Sequence, residues 1–501
     1  MSPQFVELPP SVSPSGGALP SAGLPAANVS SPDQSPAVDT DMATWVSDAR
    51  GWEELAQHNK NIVRVNAIQP SKADYETFGQ AWEAIKNLCS ESNPYIIELA
   101  AGVHYPFNPE GRGLSAFMQI TVEHHPGGLV VRGDGPSTWV IFPSGLVGTG
   151  RESEVQVGGA SLYIKNCWIG FSNGATSVFS SQINEFEEPQ AEAFLPASSV
   201  CSARGSTFPD TSCLKGTPSA FYVYPGSPGE KTRLLVEDCT VCSNYDAIVV
   251  DGYFNTATQS LTTASEPRVL VAFISCRVYG QSNAVNALGI NDGWTIQCPN
   301  ASVLIRDCEF ICDWIYRMIW TALGTDEGNR KYDPTKIWIE SSRFKQRRSV
   351  GTSNTFGPAS LLQLDVSVPS SWILVARDTV FEMSGEDINH TGDSSLTLFD
   401  GQTVTFNVCL FLARATEDGS SARLYLERCV VRHVLYDSDF SGYAATDKIG
   451  TFGAGFFGNP SGATAAIEVI NTKMDIVGKP DELARFQRDI PCSPAGTIVV
   501  R

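Results

Sequence analysis

Two short apolar runs separated by a small polar pair recur along the chain, as in LYIKNCWI at 162–169, LLVEDCTV at 234–241 and VLIRDCEF at 303–310. With a zero position set at the Cys, Ser or Thr, apolar residues stand five and three positions before it and two after it. Nine segments fit, with zero positions at Cys167, Cys239, Cys276, Cys308, Ser342, Thr379, Cys409, Cys429 and Thr472. The two leading apolar positions share one face of a strand, whereas the zero position and the residue two beyond it would fall on the opposite face of the same straight strand. The chain must bend between them. In seven of the nine, the residue before zero is Asn166, Asp238, Ser275, Asp307, Ser341, Asp378 or Asn471; Asn and Asp tolerate the left-handed backbone that such a bend requires. Two short strands with inward side chains, joined by a tight polar corner, make one edge of a coil.

A third apolar run follows the corner in DAIVVDG (246–252), NALGINDG (286–293), RMIWTALG (317–324), SLLQLDV (360–366) and LTLFDG (396–401). Zero positions recur after 72, 37, 32, 34, 37, 30, 20 and 43 residues, so the 20-residue step approximates a bare coil and the others carry loops. Residues 178–230 read as a long excursion between coils. Upstream, DYETFGQAWEAIKNLC (74–89) puts Tyr75, Phe78, Ala81, Trp82, Ile85 and Leu88 at helical spacing, an amphipathic helix within a cap over 43–93. The strands PYIIELAAGVHYPF (94–107) and GLVVRGDGPSTWVIF (128–142) follow it. The predicted fold is all-β: a parallel β-helix over 94–475 whose open end is covered by the helix. A closing segment over 476–501 carries a short helix at DELARFQRDI and a strand at TIVV. Residues 1–42, rich in Pro, Ser, Gly and Ala, show neither period and read as an extended arm that becomes ordered only by lying on a partner.

Charge narrows the partners. The 501 residues carry 35 basic and 54 acidic side chains, a formal −19, which argues against a nucleic-acid backbone or an anionic membrane as partner. The apolar runs are too short to span a bilayer. The basic run RFKQRRS (343–349) reads as a solvated strand end or a local anion contact. Thirteen cysteines form no paired C-x-x-C framework; Cys239 and Cys242 make one isolated C-T-V-C, so no metal or other cofactor is expected. The N-terminus lacks the basic start and apolar stretch of a secretory signal, and the expectation is a protein made in a reducing cytoplasm with free thiols. Cys201 and Cys213, in an irregular segment, either pair later or are two loop thiols.

On the helix, the IIELAAGVHY and LVVRGDGPSTWVIF strands and the nine coil edges, residues 74–475 resemble the right-handed parallel β-helix of the pectate-lyase-like superfamily, and within it phage tailspikes and related virion spikes. The resemblance implies a homotrimer with an N-terminal virion-binding part that recognises surface polysaccharide and, in many members, cleaves it. Joined to the lack of an export signal, it implies a virion component, a tailspike or tail fibre held to other virion proteins by residues 1–42 and binding host-surface glycan. A capsid decoration or cement protein, a head spike without enzymatic activity, and a polysaccharide depolymerase of the glycosidase or lyase type are the alternatives. The paired-Asp plus G-H-G pattern of polygalacturonases is missing, GINDGW is only a partial echo of it, and esterase and lyase signatures are missing too.

Four third runs end in a carboxylate: Asp251, Asp292, Asp365 and Asp400. Coils stack at ~4.8 Å, so Asp251 with Asp292, and Asp365 with Asp400, would lie side by side. A carboxylate pair at ~5 Å suits a retaining glycosidase and ~6.5–9.5 Å an inverting one, with Asp246 a third member; like-charge proximity would raise one pKa of such a pair. Three of the four precede Gly, so ordinary Asp-Gly turns are one competing reading, and a cation- or sugar-binding ladder, with Asp365 and Asp400 as substrate-binding residues, is the other. Tyr436, Asp437 and Asp439, near His433, have an acidic and aromatic character that suits sugar binding or a plain acidic loop, as do Asp326 and Glu327. The pair His124 and His125 lacks further ligands for a metal. Trp314, Trp320, Trp338 and Trp372 sit on or beside coil edges, where core or protomer packing is expected.

Overall fold

The computed structural model describes residues 35–66, 70–104, 120–143, 155–172, 220–227, 229–243, 248–250, 269–281, 292–296, 301–313, 317–321, 335–348, 360–366, 370–385, 395–397, 403–405, 409–435, 449–456, 458–491 and 494–501. Strands of three sheets follow one another cyclically along the chain. Among the described residues sheet 1 has twelve strands, from Ile62–Val65 to Thr497–Val500; sheet 2 has ten, from Gly102–His104 to Lys473–Val477; sheet 3 has ten, from Ile120–Glu123 to Phe486–Pro491. A coil enters on sheet 3 (Phe221–Tyr224), crosses sheet 1 (Thr232–Glu237), turns the corner and leaves on sheet 2 (Thr240–Ser243). Within the three sheets the strand pairs are parallel and join successive coils. The fold is a right-handed parallel β-helix, the hand that crossovers between parallel strands almost always take.

The corners follow the repeat. Asn166, Asp238, Ser275, Asp307, Ser341, Asp378, Arg428 and Asn471 all have left-handed φ, between 46° and 55°, and the residue after each faces inward. That inward residue is small and polarisable for a reason. Past the corner its N–H has left the sheet ladder, and a thiol or hydroxyl on the next coil accepts it: Cys276 N–H donates to Cys308 Sγ at 3.4 Å, Cys308 to Ser342 Oγ at 3.1 Å, Ser342 to Thr379 Oγ1 at 3.4 Å and Cys429 to Thr472 Oγ1 at 3.2 Å. Each of these groups in turn donates to the carbonyl two residues back, as Ser342 Oγ does to Glu340 at 2.8 Å. An apolar residue there would leave a buried donor unsatisfied. Burial pushes the Cys429 thiol up to about 12, so these cysteines behave as small core groups.

The segment at Cys409 is not a corner. Cys409–Ala415 is a strand of sheet 3, between Ser360–Val366 and Ile449–Phe456, while Thr403–Thr405 forms an antiparallel hairpin with Ser395–Thr397. The residue before Cys409 is Val408, a β-branched type that resists the left-handed region; apolar spacing alone could not tell the two strand types apart. The coil therefore advances 50 residues from Thr379 to Cys429, and the shortest step is the 32 residues from Cys276 to Cys308. The excursion also ends earlier than 230, since Phe221–Tyr224 pairs on both sides within sheet 3.

Inside, aromatic rings stack from coil to coil: Phe310 and Phe344 are parallel at 4.5 Å, followed by Phe381, Phe411 and Phe452 at 5.4, 5.2 and 5.6 Å. The first coils are closed by helix α2 (Phe78–Ile85), shorter than 74–89, which buries Phe78, Ala81, Trp82 and Ile85 and leaves Leu88 exposed. Thr77 and Gln80 form a capping box at its start. At the far end, helix α3 spans only Pro480–Arg485, and FQRDI continues as strand Phe486–Pro491.

Helix α1 (Thr40–Asn59) was not expected. It lies across the outer face of sheet 1, with Met42, Trp45, Val46, Ala49, Trp52 and Ala56 buried against Ile96, Val130, Tyr163, Leu235, Ala272, Leu304, Trp338 and Val375. Its twenty residues give a length of about 30 Å, which matches six strand spacings of ~4.8 Å. Residues 35–39 carry the same line further: Asp39 pairs with Lys336 at 3.2 Å, the Ser35 and Pro36 carbonyls accept from Arg377 at 2.5 and 2.7 Å, and the Ser35 hydroxyl donates to Glu427. The expected arm over 1–42 is thus shortened, because residues 35–42 lie on the chain's own sheet.

Candidate functional site

The register of sheet 3 places one member of each expected carboxylate pair, Asp292 and Asp365. Val250 lies beside Ile296, four positions past Asp292. Asp292 begins the strand Asp292–Ile296 instead of ending one, and it lies beside Arg317 on the next coil. The apolar residues of NALGI had drawn the run too early. Asp365 is buried, and the equivalent position on the next coil is Arg414, not Asp400. One Asp365 oxygen accepts from Arg414 Nε and the other from Gln363 Nε2, each at 2.6 Å. A carboxylate so held locks two coils together and is not available to a ligand. Asp246, Asp251, Asp400, Tyr436, Asp437 and Asp439 lie outside the described residues, as do Asp326, Glu327, Trp314, Cys201 and Cys213.

The other motifs are structural. His124 turns a corner with φ 51° and sits 2.9 Å from Glu230. His125 is buried, its Nε2 3.2 Å from the Lys86 and Cys89 carbonyls and its ring edge-on to Trp82 at 4.8 Å; burial holds its pKa below the usual histidine range. It ties α2 to the first coils. The basic run is strand Arg343–Arg348 of sheet 2, where Arg343 reaches Glu309 and Glu382 at 3.4 and 3.5 Å. Trp338 packs under α1 and Trp372 in the coil interior. No cluster of metal-ligating side chains occurs among the described residues, and no helix there is long and apolar enough to cross a membrane.

A different place opens. In the later coils two residues make the corner, the first of them left-handed, and the first two coils depart from this. Ala100 and Ala101 join Tyr95–Leu99 to Gly102–His104 with the positive φ moved to Gly102, at 126°. The next corner widens to Asp134 and the 3-10 turn Gly135–Ser137 before Thr138–Pro143. A cleft of about 550 Å³ lies there, between α1, the start of sheet 1 and the Asn166 corner. That volume falls in the ~300–1,000 Å³ range of small-molecule sites. Gly133 has no alternative at this bend, because a Cβ would stand 2.2 Å from the Asn166 carbonyl. The Asp134 loop is held by its own N–H to Thr138 Oγ1 at 2.8 Å and by Ser137 Oγ to its carbonyl at 3.1 Å.

Charged groups floor the cleft. Arg132 donates to Glu53 of α1 at 3.0 Å and to Glu98 at 2.6 Å, and Arg64 Nε donates to Glu98 at 3.1 Å. Burial works against the Glu98 charge, but the bonds from Arg132 and Arg64 outweigh it and keep its pKa below the usual glutamate range. Asp134, Asn166, Asn66 and Lys72 complete the rim. Among the described residues the lining contains no His, Cys or Ser and no aromatic ring. What it offers is a dense set of hydrogen-bond donors and acceptors, several of them fixed by ion pairs. Arg64, Glu98, Arg132 and Asp134 escaped the sequence reading. The signal was present as an interruption: GDGPS in VVRGDGPSTWV overruns the two-residue corner kept elsewhere.

Fold and cleft together define a parallel β-helix with a polar binding recess near its capped end. No protein-family model matches the chain, and no curated protein matches it. Among solved structures it is similar to a pectin methylesterase variant in complex with hexasaccharide IV, at 12% identity over 76% of this chain and 95% of that one, TM-score 0.35. It is similar also to pectin methylesterase in complex with hexasaccharide VII, at 14% identity over 76% and 95%, TM-score 0.35. A third is pectin methylesterase PemA from Erwinia chrysanthemi, at 13% identity over 72% and 89%, TM-score 0.34.

Proposed function

We propose that the protein is a virion-surface spike, a tailspike or tail fibre, that binds host-surface polysaccharide and is held to the particle by residues 1–34. The cleft carries the glycan half of this reading. It is lined mainly by charged and amide side chains, preset by ion pairs, and placed where the coil departs from its repeat; backbone loops on a rigid scaffold are where binding residues gather. Attachment draws on composition: residues 1–34 are rich in Pro, Ser and Ala and have too few apolar side chains to fold alone, and they join the body through a segment bound along its flank. A homotrimer accords with the resemblance of the coil to virion spikes.

The test is binding of purified protein to host-surface polysaccharide. Wild type should bind, and Arg64→Ala and Asp134→Asn should each weaken binding about tenfold, roughly the loss of one charge-assisted hydrogen bond. Absence of binding to any host polysaccharide would leave a decoration protein as the better reading, and release of new sugar ends would favour a depolymerase. Particles assembled with a chain lacking residues 1–34 should be without the spike; unchanged incorporation would remove the attachment half.

A further inference from the structure

The N-terminal strap, residues 35–59, makes contacts of very long range: Arg50 to Glu237 across 187 residues, Lys336 to Asp39 across 297, Arg377 to the Ser35 carbonyl across 342 and Ser35 to Glu427 across 392. Its binding surface is equally distributed. The groove that receives Trp45, Trp52 and their neighbours is built from side chains on successive coils, among them Tyr163, Leu235, Ala272 with Leu270 and Ile274, Leu304, Trp338 and Val375, and no one coil supplies more than a fraction of it. The seat of Ser35 does not exist until strand Ser421–Glu427 has joined the stack beside Arg377. The strap is the first part of the described chain in sequence, yet its site is completed only by strands late in the chain, Ser371–Arg377 and Ser421–Glu427.

We propose that residues 35–59 are a clasp that closes only on a completed stack of coils, and that closure fixes where residues 1–34 leave the body. The exit is the flank of strand Ser421–Glu427, eight strands along sheet 1 from Tyr95–Leu99, about 38 Å from the capped end at ~4.8 Å per strand. Three linked observations carry this. The helix length matches the coils it crosses, the ion pairs fall in order along it from Asp39 to Glu53, and the buried residues of α1 form one apolar cluster with the outer face of sheet 1. Docking against a partial stack forfeits contacts in proportion to the missing coils, while the entropy of closing so long a loop has still to be overcome. A chain with unfinished coils therefore keeps its arm untethered. For a spike attached through residues 1–34, the clasp would present the arm in register only on finished molecules; the clasp itself does not depend on that reading.

Pulse-labelled hydrogen exchange during refolding of the full wild-type chain tests the order. Amides of α1 should gain protection after those of strands Ser371–Arg377 and Ser421–Glu427; protection of α1 before or together with the first coils overturns the clasp. A photo-crosslinking residue at exposed Ala37 tests the exit: adducts to 371–377 or 421–427 support it, and adducts to 70–104 overturn it. In folded protein, Lys336→Ala with Arg377→Ala should raise proteolytic cleavage within 35–46 at least tenfold, with exchange protection of the inner strands unchanged; equal cleavage would count against it. None of these readouts involves a particle or a glycan, so failure of the clasp and failure of the spike reading are told apart.

Discussion

The outer faces of sheets 1 and 2 are built on the same coils, with the same parallel pairing and the same spacing, yet they carry opposite chemistry. Under α1 the central track of sheet 1 runs Tyr163, Leu235, Ala272, Leu304, Trp338 and Val375, each no more than 2% exposed. On sheet 2 the track beside the corner runs Arg277, Glu309, Arg343, Val380 and Val430, with Arg343 about half exposed and shared between Glu309 and Glu382. What differs is the cover. A face that meets a helix gains from apolar area, and a face that meets water keeps its strands apart from other chains with charge. Sheet 1 shows the transition itself: at the end of the strap the central track passes to partly exposed Tyr425 and, beyond it, to Glu468.

The margin of the covered face has its own logic. Glu98, Arg132, Lys165, Glu237, Arg306, Glu340, Arg377 and Glu427 occupy one register track beside the corner, interrupted by Ile274, and alternate in sign often enough to pair along it. Arg306 meets Glu340 at 2.7 Å, and Arg377 meets Glu427 at 3.0 Å. The strap joins this ladder through Arg50 and Glu53: Arg50 reaches Glu237 at 2.5 Å, and Glu53 reaches Arg132 and Lys165 at 3.0 and 2.9 Å. Tyr163 adds a hydroxyl bond to Glu237 from below.

The interior sets the upper limit for effects on this comparison. Phe344→Ala removes a fully buried ring with neighbours at 4.5 and 5.4 Å and should cost about 4 kcal/mol in denaturant titration. Leu304→Ala, on the covered outer face, should cost about 2.5 kcal/mol and also speed exchange of α1 amides; a cost near zero would mean the strap leaves that face open. Acidification should act on the strap next. Burial opposes the charge on Glu237 and Glu427, but their bonds, chiefly from Arg50 and Tyr163 to the first and from Ser35 and Arg377 to the second, hold both pKa values below the ordinary one. A depressed folded-state pKa means the closed strap binds fewer protons, so its stabilisation is full above the ordinary glutamate value of ~4.3 and is lost as pH falls through the lower folded values. Proteolysis of residues 35–46 measured down that range should accelerate before the coil circular dichroism changes. Smallest of all, Arg343→Ala on the bare face should change stability by no more than about 0.5 kcal/mol; a larger loss would show that sheet 2 is covered in the assembled protein.

Much of the fold could be read from the residues because a β-helix writes its geometry locally. Asp238 and Asn166 mark corners by backbone tolerance, and Cys239 or Ser342 marks the inward step by size and hydrogen-bonding need. The strap was equally written, in the spacing of Met42, Trp45, Val46, Ala49, Trp52 and Ala56 and in the unbroken apolar triplets LLV, VAF, VLI and IWI of sheet 1, which mark strands buried on both faces. Only together do those two signals mean that one covers the other. The candidate site was far less legible. Asp365 looked like half of a carboxylate pair until the register put Arg414 next to it, and the cleft residues Arg64, Glu98, Arg132 and Asp134 come from three coils with nothing in their spacing to join them.

Sequence by itself determined the coil, its corners and the inward ladder, since each depends on the conformational preference or polarity of residues within a few positions of one another. Tertiary structure alone decided which strand belongs to which sheet at Cys409, which side chains become neighbours across 50 or more residues, and that the segment before the first helix lies on its own body. Those outcomes depend on how many residues each loop inserts between coils, and a loop of any length closes the same strand spacing.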